Sequence, residues 1–208
     1  MRASKFQWMG KDITDETVLT ALERTPREEF VPIEDRGLAY GDHPLPIGHG
    51  QTISQPYIVA LMTQLLALKP GDRVLDVGCG SGYQAAIFSQ LVAEVYSIEI
   101  IAALASAAAE RLRRLGYANV TVRHGDGYFG WPEHAPYDAI LVAAAAGHTP
   151  PALLEQLAEG GRLVIPVGPA GAYQVLWLYE RKGGEIRSQS VTSVVFVPLT
   201  GAGRRAAL

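Results

Sequence analysis

The chain has 208 residues, 48% of them apolar and 19% charged, with a formal net charge of −3. That is enough for one well-buried domain and short for two, and the mild negative balance gives no electrostatic reason to expect nucleic acid or an anionic membrane as a partner. A lone cysteine, Cys79, excludes an internal disulfide and a cysteine-built zinc site, and the apolar runs stop short of the ~20 residues that a membrane span needs.

The opening residues, MRASKFQWMGKDITDE, carry no apolar signal core, so the expected location is the cytoplasm. Residues 12–30 predict a helix opened by Asp12 or Thr14, with Val18, Leu19 and Leu22 on one face and Pro26 ending or restarting it. The stretch from Val31 to Pro56 is expected to be irregular, because Pro44, Pro46, Gly48 and Gly50 punctuate it. From Tyr57, the apolar residues Ile58, Leu61, Met62, Leu65 and Leu66 fall at helical spacing until Pro70-Gly71.

Short β-rich runs then alternate with helical ones. Strands are predicted at 73–78, 94–99, 119–126, 137–145 and 162–168, with helices at 81–92, 101–116 and 151–158. This rhythm implies a parallel sheet covered on both faces. The runs 174–182 and 190–199 have only Gly183-Gly184 and polar residues between them, and predict an antiparallel pair at the sheet edge, followed by a mobile tail, GAGRRAAL. The fold class is therefore α/β: a Rossmann-like, doubly wound, mostly parallel sheet with antiparallel C-terminal strands and an N-terminal helical segment. Residues 1–208 form one domain, in which 1–70 is the helical and loop segment and 71–200 the sheet.

The turn after the first strand of that sheet reads Asp76-Val-Gly78-Cys-Gly80-Ser-Gly82. Glycines there permit a tight turn and close approach of a ligand to the backbone. The third glycine comes one residue too early for the dinucleotide fingerprint G-x-G-x-x-G, and no lysine is present to make a P-loop. Asp76 ends the first strand, Glu99 the second, 23 residues later, and Asp126 the third. Glu99 stands where an acidic residue accepts the ribose hydroxyls, and Asp126 where it can accept from an adenine amino group. Three carboxylates at the ends of successive strands share one crevice, and they suit an adenosine with no phosphates and a cationic group: S-adenosylmethionine.

The segments AYGDHPLPIGHGQTISQPYIVALM, RVLDVGCGSGYQAAIFSQL, EVYSIE, GDGYFGWPEHAPYDAILVAAAA, LLEQLAEGGRLVIPVG and FVPLTG resemble the protein-L-isoaspartate O-methyltransferase family, whose fold is that of the class I methyltransferases. The likeness runs from about residue 13 to residue 201, and its most specific part is the stretch containing PIGHGQTIS. It implies transfer of a methyl group from S-adenosylmethionine to the free α-carboxylate of L-isoaspartyl residues in damaged proteins and peptides, leaving S-adenosylhomocysteine; the ester then collapses to a succinimide that hydrolyses in part to aspartate. It further implies that Ser54 is the active-site serine, and that Gln51, Thr52, Ile53, Asp76, Gly78, Gly80, Ser81, Glu99, Ile100, Asp126 and Gly127 contact the cofactor. Pro46, Ile47 and Gly48 would border the peptide beside Ser54, and Thr200 would touch the cofactor or close the pocket.

The chemistry agrees with a serine. A carboxylate with a pKa near ~4 is ionised at pH 7 and is already nucleophilic, so no general base is required. What is needed is alignment, which can be worth ~7–11 kcal/mol of barrier, from donors that do not carry charge. Ser54 meets this need at the mouth of the helix that follows, whose free N–H groups also favour an anion. Ser54 can equally be read as the N-cap of that helix.

Other readings stay open. The protein could methylate another peptide or small-molecule carboxylate, or bind the cofactor without turnover. Gly80-Ser81-Gly82 is not placed as a hydrolase elbow, and no acid–histidine pair follows. The five histidines show no metal-like spacing. His148, after the fourth strand, is either a base for a neutral nucleophile or a loop residue. Cys79 reads as space-filling. Tyr128, Trp131 and Tyr137 either stack on adenine or fill the core, and Arg111, Arg113 and Arg114 form the solvated face of their helix. No metal is expected, and the protein is expected to be a monomer.

Overall fold

The structure is a computed structural model and describes residues 12–202. The opening residues 1–11 and the tail beyond 202 lie outside the described residues, and with them most of the readings of a missing signal and a mobile end.

The N-terminal helix is shorter than its periodicity suggests. It is α1, Glu16–Arg24. Asp15, not Asp12 or Thr14, is its N-cap: Oδ1 accepts from the backbone N–H groups of Thr17 and Val18. Thr14 and Asp15 instead donate their N–H groups to the side-chain carbonyl of Gln64, which docks the entering chain on the later helix. Thr25 ends α1 ahead of Pro26, and 3₁₀ turns follow at Arg27–Phe30 and Ile33–Leu38.

The punctuated stretch is not irregular throughout. Leu45–Gly48 and Gln51–Ile53 pair antiparallel as β1 and β2, with Pro46 opposite Thr52. Proline is tolerated because a strand of a two-stranded ribbon has a free edge. The turn has positive φ at Gly48, His49 and Gly50; glycine supplies it at little cost on either side, and His49 adopts it at φ +54. Helix α2, Pro56–Leu65, then begins with proline in its first turn.

The main sheet has seven strands: β3 Arg73–Val77, β4 Glu94–Glu99, β5 Val120–His124, β6 Tyr137–Val142, β7 Leu157–Val167, β8 Gln174–Lys182 and β9 Glu185–Val194. Their order is β5-β4-β3-β6-β7-β8-β9. The first five are parallel, and β8 and β9 are antiparallel additions. Connecting helices are α3 Tyr83–Ser89, α4 Ala102–Arg114 and α5 Pro151–Glu155. The α/β expectation holds, but β7 starts at Leu157, so the helix predicted over 151–158 is cut to five residues.

Both faces of the sheet are covered. One apolar cluster joins Val74, Val95 and Leu141 to α1, α2 and α3. The other joins Leu75, Val77 and Ile140 to Trp131, Tyr137 and Leu153. Trp131 and Tyr137 therefore fill the core rather than stack on a ligand. The order of crossovers reverses between β3 and β6, and at such a switch point the carboxyl ends of the strands leave a crevice.

The final strand is displaced from its expected range. It ends at Val194, and residues 195–200 leave the sheet and cross its carboxyl end, where Ala145 donates its N–H to Val197 and Leu199 donates back to Ala145. We call this segment the strap. Gln174 guides its departure, accepting from the Phe196 N–H through Oε1.

Candidate active site

A crevice opens to solvent above the carboxyl ends of β3 and β4, the place where an open α/β sheet takes its ligand. Four walls meet there: the end of the β1–β2 hairpin, the glycine turn, the end of β4, and the strap. Among the predicted residues, Gln51, Thr52, Ile53, Ser54, Gly78, Gly80, Ser81, Glu99, Ile100, Gly127 and Thr200 all line it. Residues separated by up to 149 positions in sequence thus share one space.

The glycine turn is anchored from beneath. The N–H groups of Gly78 and Cys79 both donate to the carbonyl of Ile98. Gly80 has φ +53, and a Cβ there would sit 3.1 Å from Ile47 Cδ1. Its N–H donates to Glu99 Oε2 at 2.8 Å, while Glu99 Oε1 accepts from Ile101 N–H at 2.9 Å. Glu99 is buried and fixed by these two bonds, and each of its oxygens keeps a lone pair for a further donor.

Asp76 differs from expectation. It does not line the crevice; it is fully buried, with Oδ2 accepting from Ser97 Oγ at 2.6 Å and Oδ1 without a partner. Burial pushes its carboxyl up to about 7. The Ser81 hydroxyl is likewise buried and unpartnered. Burial also raises the Cys79 thiol well above its ordinary range, which keeps it protonated and unreactive.

Asp126 departs further. It is outside the lining, and its two oxygens are engaged: Oδ1 accepts from Tyr128 N–H at 3.0 Å and Oδ2 from Ala202 N–H at 2.8 Å. Asp126 thereby ties down the far end of the strap, so Gly201 and Ala202 are held rather than mobile. A Cβ at Gly201 would lie 2.3 Å from Asp126 Oδ2.

Pro46, Ile47 and Gly48 border the crevice without lining it, and Pro46 and Gly48 are exposed. Ser54 is half-buried, and among the described residues nothing hydrogen-bonds its hydroxyl. It is not the N-cap of α2. That position is Gln55, whose side chain makes no capping bond, and the Tyr57 N–H goes to Asp42 Oδ1 at 3.0 Å. A carboxylate therefore already occupies the start of α2, and the helix N-terminus is not the open anion site the sequence suggested.

His148 accepts from or donates to Tyr128 Oη at 2.9 Å and does not line the crevice, a poor place for a base. Arg111 also departs from its reading. It is half-buried, and its Nη1 donates to the Ser81 carbonyl at 2.8 Å, while Arg114 pairs with Glu29 at 2.8 Å. Residues that the sequence reading passed over include Tyr83, Gln84 and Met62 in the lining, and Arg27, which is fully buried and donates to the Ser54 carbonyl.

A doubly wound sheet with a glycine turn at β3 and a buried carboxylate at the end of β4 defines a Rossmann-like methyltransferase fold. The residues fit a nucleoside: Glu99 keeps lone pairs for vicinal hydroxyls, and Ser81, also in the lining, has a buried hydroxyl without a partner.

The family model described as protein-L-isoaspartate(D-aspartate) O-methyltransferase matches residues 7–204. A protein-L-isoaspartate O-methyltransferase 2 from Syntrophobacter fumaroxidans is 59% identical over 194 residues, covering 93% of this chain and 78% of the relative. One of the same name from a Polaromonas species is 58% identical, covering 92% of each. A solved protein-L-isoaspartate O-methyltransferase superposes with TM-score 0.83 at 31% identity, over 92% of this chain but 63% of that one. A Plasmodium falciparum structure of the same designation, in complex with S-adenosyl-L-homocysteine, gives TM-score 0.79 at 31% identity over 90% and 92%. The chain belongs to the protein-L-isoaspartate(D-aspartate) O-methyltransferase family.

Proposed function

We propose that this protein methylates the free α-carboxylate of L-isoaspartyl residues in damaged proteins and peptides, with S-adenosylmethionine as donor. The observation that carries the reading is the Ser54 hydroxyl, free of any hydrogen bond among the described residues, on the lip of a crevice whose opposite wall suits a nucleoside. When bound, the cofactor supplies an activated methyl group on a cationic sulfur. Glu99 would hold the ribose hydroxyls and the glycine turn from Gly78 to Ser81 would hold the sugar and amino-acid portion, while Gln51, Thr52, Ile53, Gly127 and Thr200, which also line the crevice, would enclose the rest.

Ser54 donates to the acceptor carboxylate and fixes its direction. Being neutral, it orients the attacking oxygen without the tight grip of a lysine, and no proton has to be removed from a group that is already ionised. Pro46, Ile47 and Gly48 offer mainly backbone to the peptide, which suits recognition of a rerouted main chain. The reading treats 1–208 as one domain, with 1–70 contributing the acceptor wall and 71–200 the cofactor wall. It extends to a monomer in the cytoplasm, without nucleic acid or membrane partners, consistent with the net charge of −3.

Matched isoaspartyl and aspartyl peptides, incubated with labelled S-adenosylmethionine, test the proposal. Label on the isoaspartyl peptide alone supports it. Label on another carboxylate, or cofactor binding with no label transferred to either peptide, overturns it. Sizing chromatography checks the monomer.

A further inference from the structure

Arg27 lies in the run TPREEF, at the start of the 3₁₀ turn after α1, and has no solvent exposure. Charged side chains are rarely buried so completely unless paired, yet no ion pair holds this one among the described residues. Its Nε donates to the carbonyl of Ala39 and its Nη2 to the carbonyl of Ser54, each at 2.8 Å, while Nη1 has no hydrogen-bond partner. The guanidinium sits over the ring of Tyr83, 4.8 Å from its centroid. Tyr83 meets Phe30 edge-on at 5.4 Å, and Arg111, which holds the Ser81 carbonyl, lies 6.0 Å from the Phe30 ring. A stack of Arg27, Tyr83, Phe30 and Arg111 thus runs from the Ser54 carbonyl to that of Ser81, spanning the two walls of the crevice.

An unpaired buried cation costs the fold stability, so its geometry matters. A guanidinium is a rigid planar fork, able to hold two carbonyls at a set angle where an ammonium cannot. Arg27 does not itself line the crevice; it reaches the site through the Ser54 backbone and leaves the attacking oxygen untouched by a cation.

We propose that Arg27 is a positioning residue: by clamping the Ser54 carbonyl to that of Ala39, it fixes the direction in which the Ser54 hydroxyl presents the acceptor carboxylate. The inference rests on Ser54 being the acceptor-side donor.

The test uses the full chain and four variants: Arg27→Met, Arg27→Lys, Ser54→Ala and Arg27→Met with Ser54→Ala. Readouts are thermal unfolding, S-adenosylhomocysteine affinity, and kcat and KM on an isoaspartyl peptide. Arg27→Met should bind S-adenosylhomocysteine within about threefold of the parent and lose about 10–100-fold in kcat, the scale of an ångström-level misplacement. Arg27→Lys keeps the charge without the fork and should recover only part of that loss, staying at least about fivefold below the parent. Because Arg27 acts through Ser54, the double variant should fall no more than about twofold below Ser54→Ala.

A folded Arg27→Met with kcat within about twofold of the parent overturns the inference, as do additive losses in the double variant. If Arg27→Met does not fold, Arg27→Lys decides: a kcat reduced by about fivefold or more at unchanged cofactor affinity supports the clamp, and a kcat nearer the parent's overturns it. An unchanged kcat for Ser54→Ala fails the reading of Ser54 and this inference with it. A reduced Ser54→Ala kcat with independent Arg27 effects fails this inference alone.

Discussion

Replacing Asp76 with asparagine should stabilise the cofactor-free protein at neutral pH. The Asp76 carboxyl is fully buried, one oxygen accepts from Ser97, and the other has no partner. Burial, with a smaller contribution from the Glu99 charge, raises its pKa from 3.8 to about 7. The sign follows from linkage. Between these two values the folded state holds a proton that the unfolded state has released, so stability contributed by this group falls as pH rises from about 4 to about 7 and then levels off. At about 1.36 kcal/mol for each pH unit separating the two values, the ionised form costs the fold on the order of 4 kcal/mol above that window. The asparagine side chain is uncharged at every pH and retains an acceptor for Ser97, so the cost disappears while one amide donor is left to find a partner, at about 1–3 kcal/mol. Urea denaturation of both proteins from pH 4 to pH 8 without cofactor gives the difference in unfolding free energy, from which other titrations cancel. The difference should move in favour of the asparagine variant by a few kcal/mol across that range. A difference that stays flat with pH would refute the buried, unpaired carboxylate.

Ser54→Ala should cut turnover on an isoaspartyl peptide while leaving cofactor affinity near the parent's; calorimetry showing abolished cofactor binding would contradict its assignment to the acceptor. Glu99→Ala should act in the opposite order. It removes an acceptor from the Gly80 and Ile101 N–H groups as well as from the ribose, and charge-assisted bonds of about 1.5–3 kcal/mol make the expected loss of cofactor affinity tenfold or more on the scale of about 1.4 kcal/mol per decade; an affinity within error of the parent would count against it. Gly201→Ala brings a Cβ within 2.3 Å of Asp126 Oδ2 at φ +81, so the strap should detach from Asp126. Overpacking of this kind costs about 1–3 kcal/mol, visible as a lower melting temperature and weaker cofactor binding, and an unchanged melting curve would show that the strap is not held there.

Much of the cofactor wall was legible in the sequence because its signals are local. A strand, a glycine turn and a helix follow one another within a few residues, and the period of the apolar pattern changes at each boundary. Glu99 stood at the end of a strand that could be recognised by itself, and the parallel sheet then brought it beneath Gly80. Ser54 could be singled out from its neighbours in GQTIS, but its freedom from a capping role could not. That depended on Asp42 reaching the Tyr57 N–H across fifteen positions.

What the tertiary structure decided is which polar groups are spent on holding the protein together. Asp126 ends the next strand and, like Glu99, accepts a backbone N–H on each oxygen; what separates them is that Glu99 lines the crevice while Asp126 lies outside it, against the end of the strap. Arg27 sits next to two glutamates in a run that looks like solvated surface, and Arg111 in a basic cluster that looks the same. Both are turned inward, one to each wall of the crevice. By itself, the sequence determined the sheet, its glycine turn and the serine stretch, since period, turn chemistry and strand ends are set by neighbouring residues. Burial and hydrogen-bond partners are set by segments tens of positions away, and so only the packed structure could separate the side chains left open to a ligand from those that clamp the site in place.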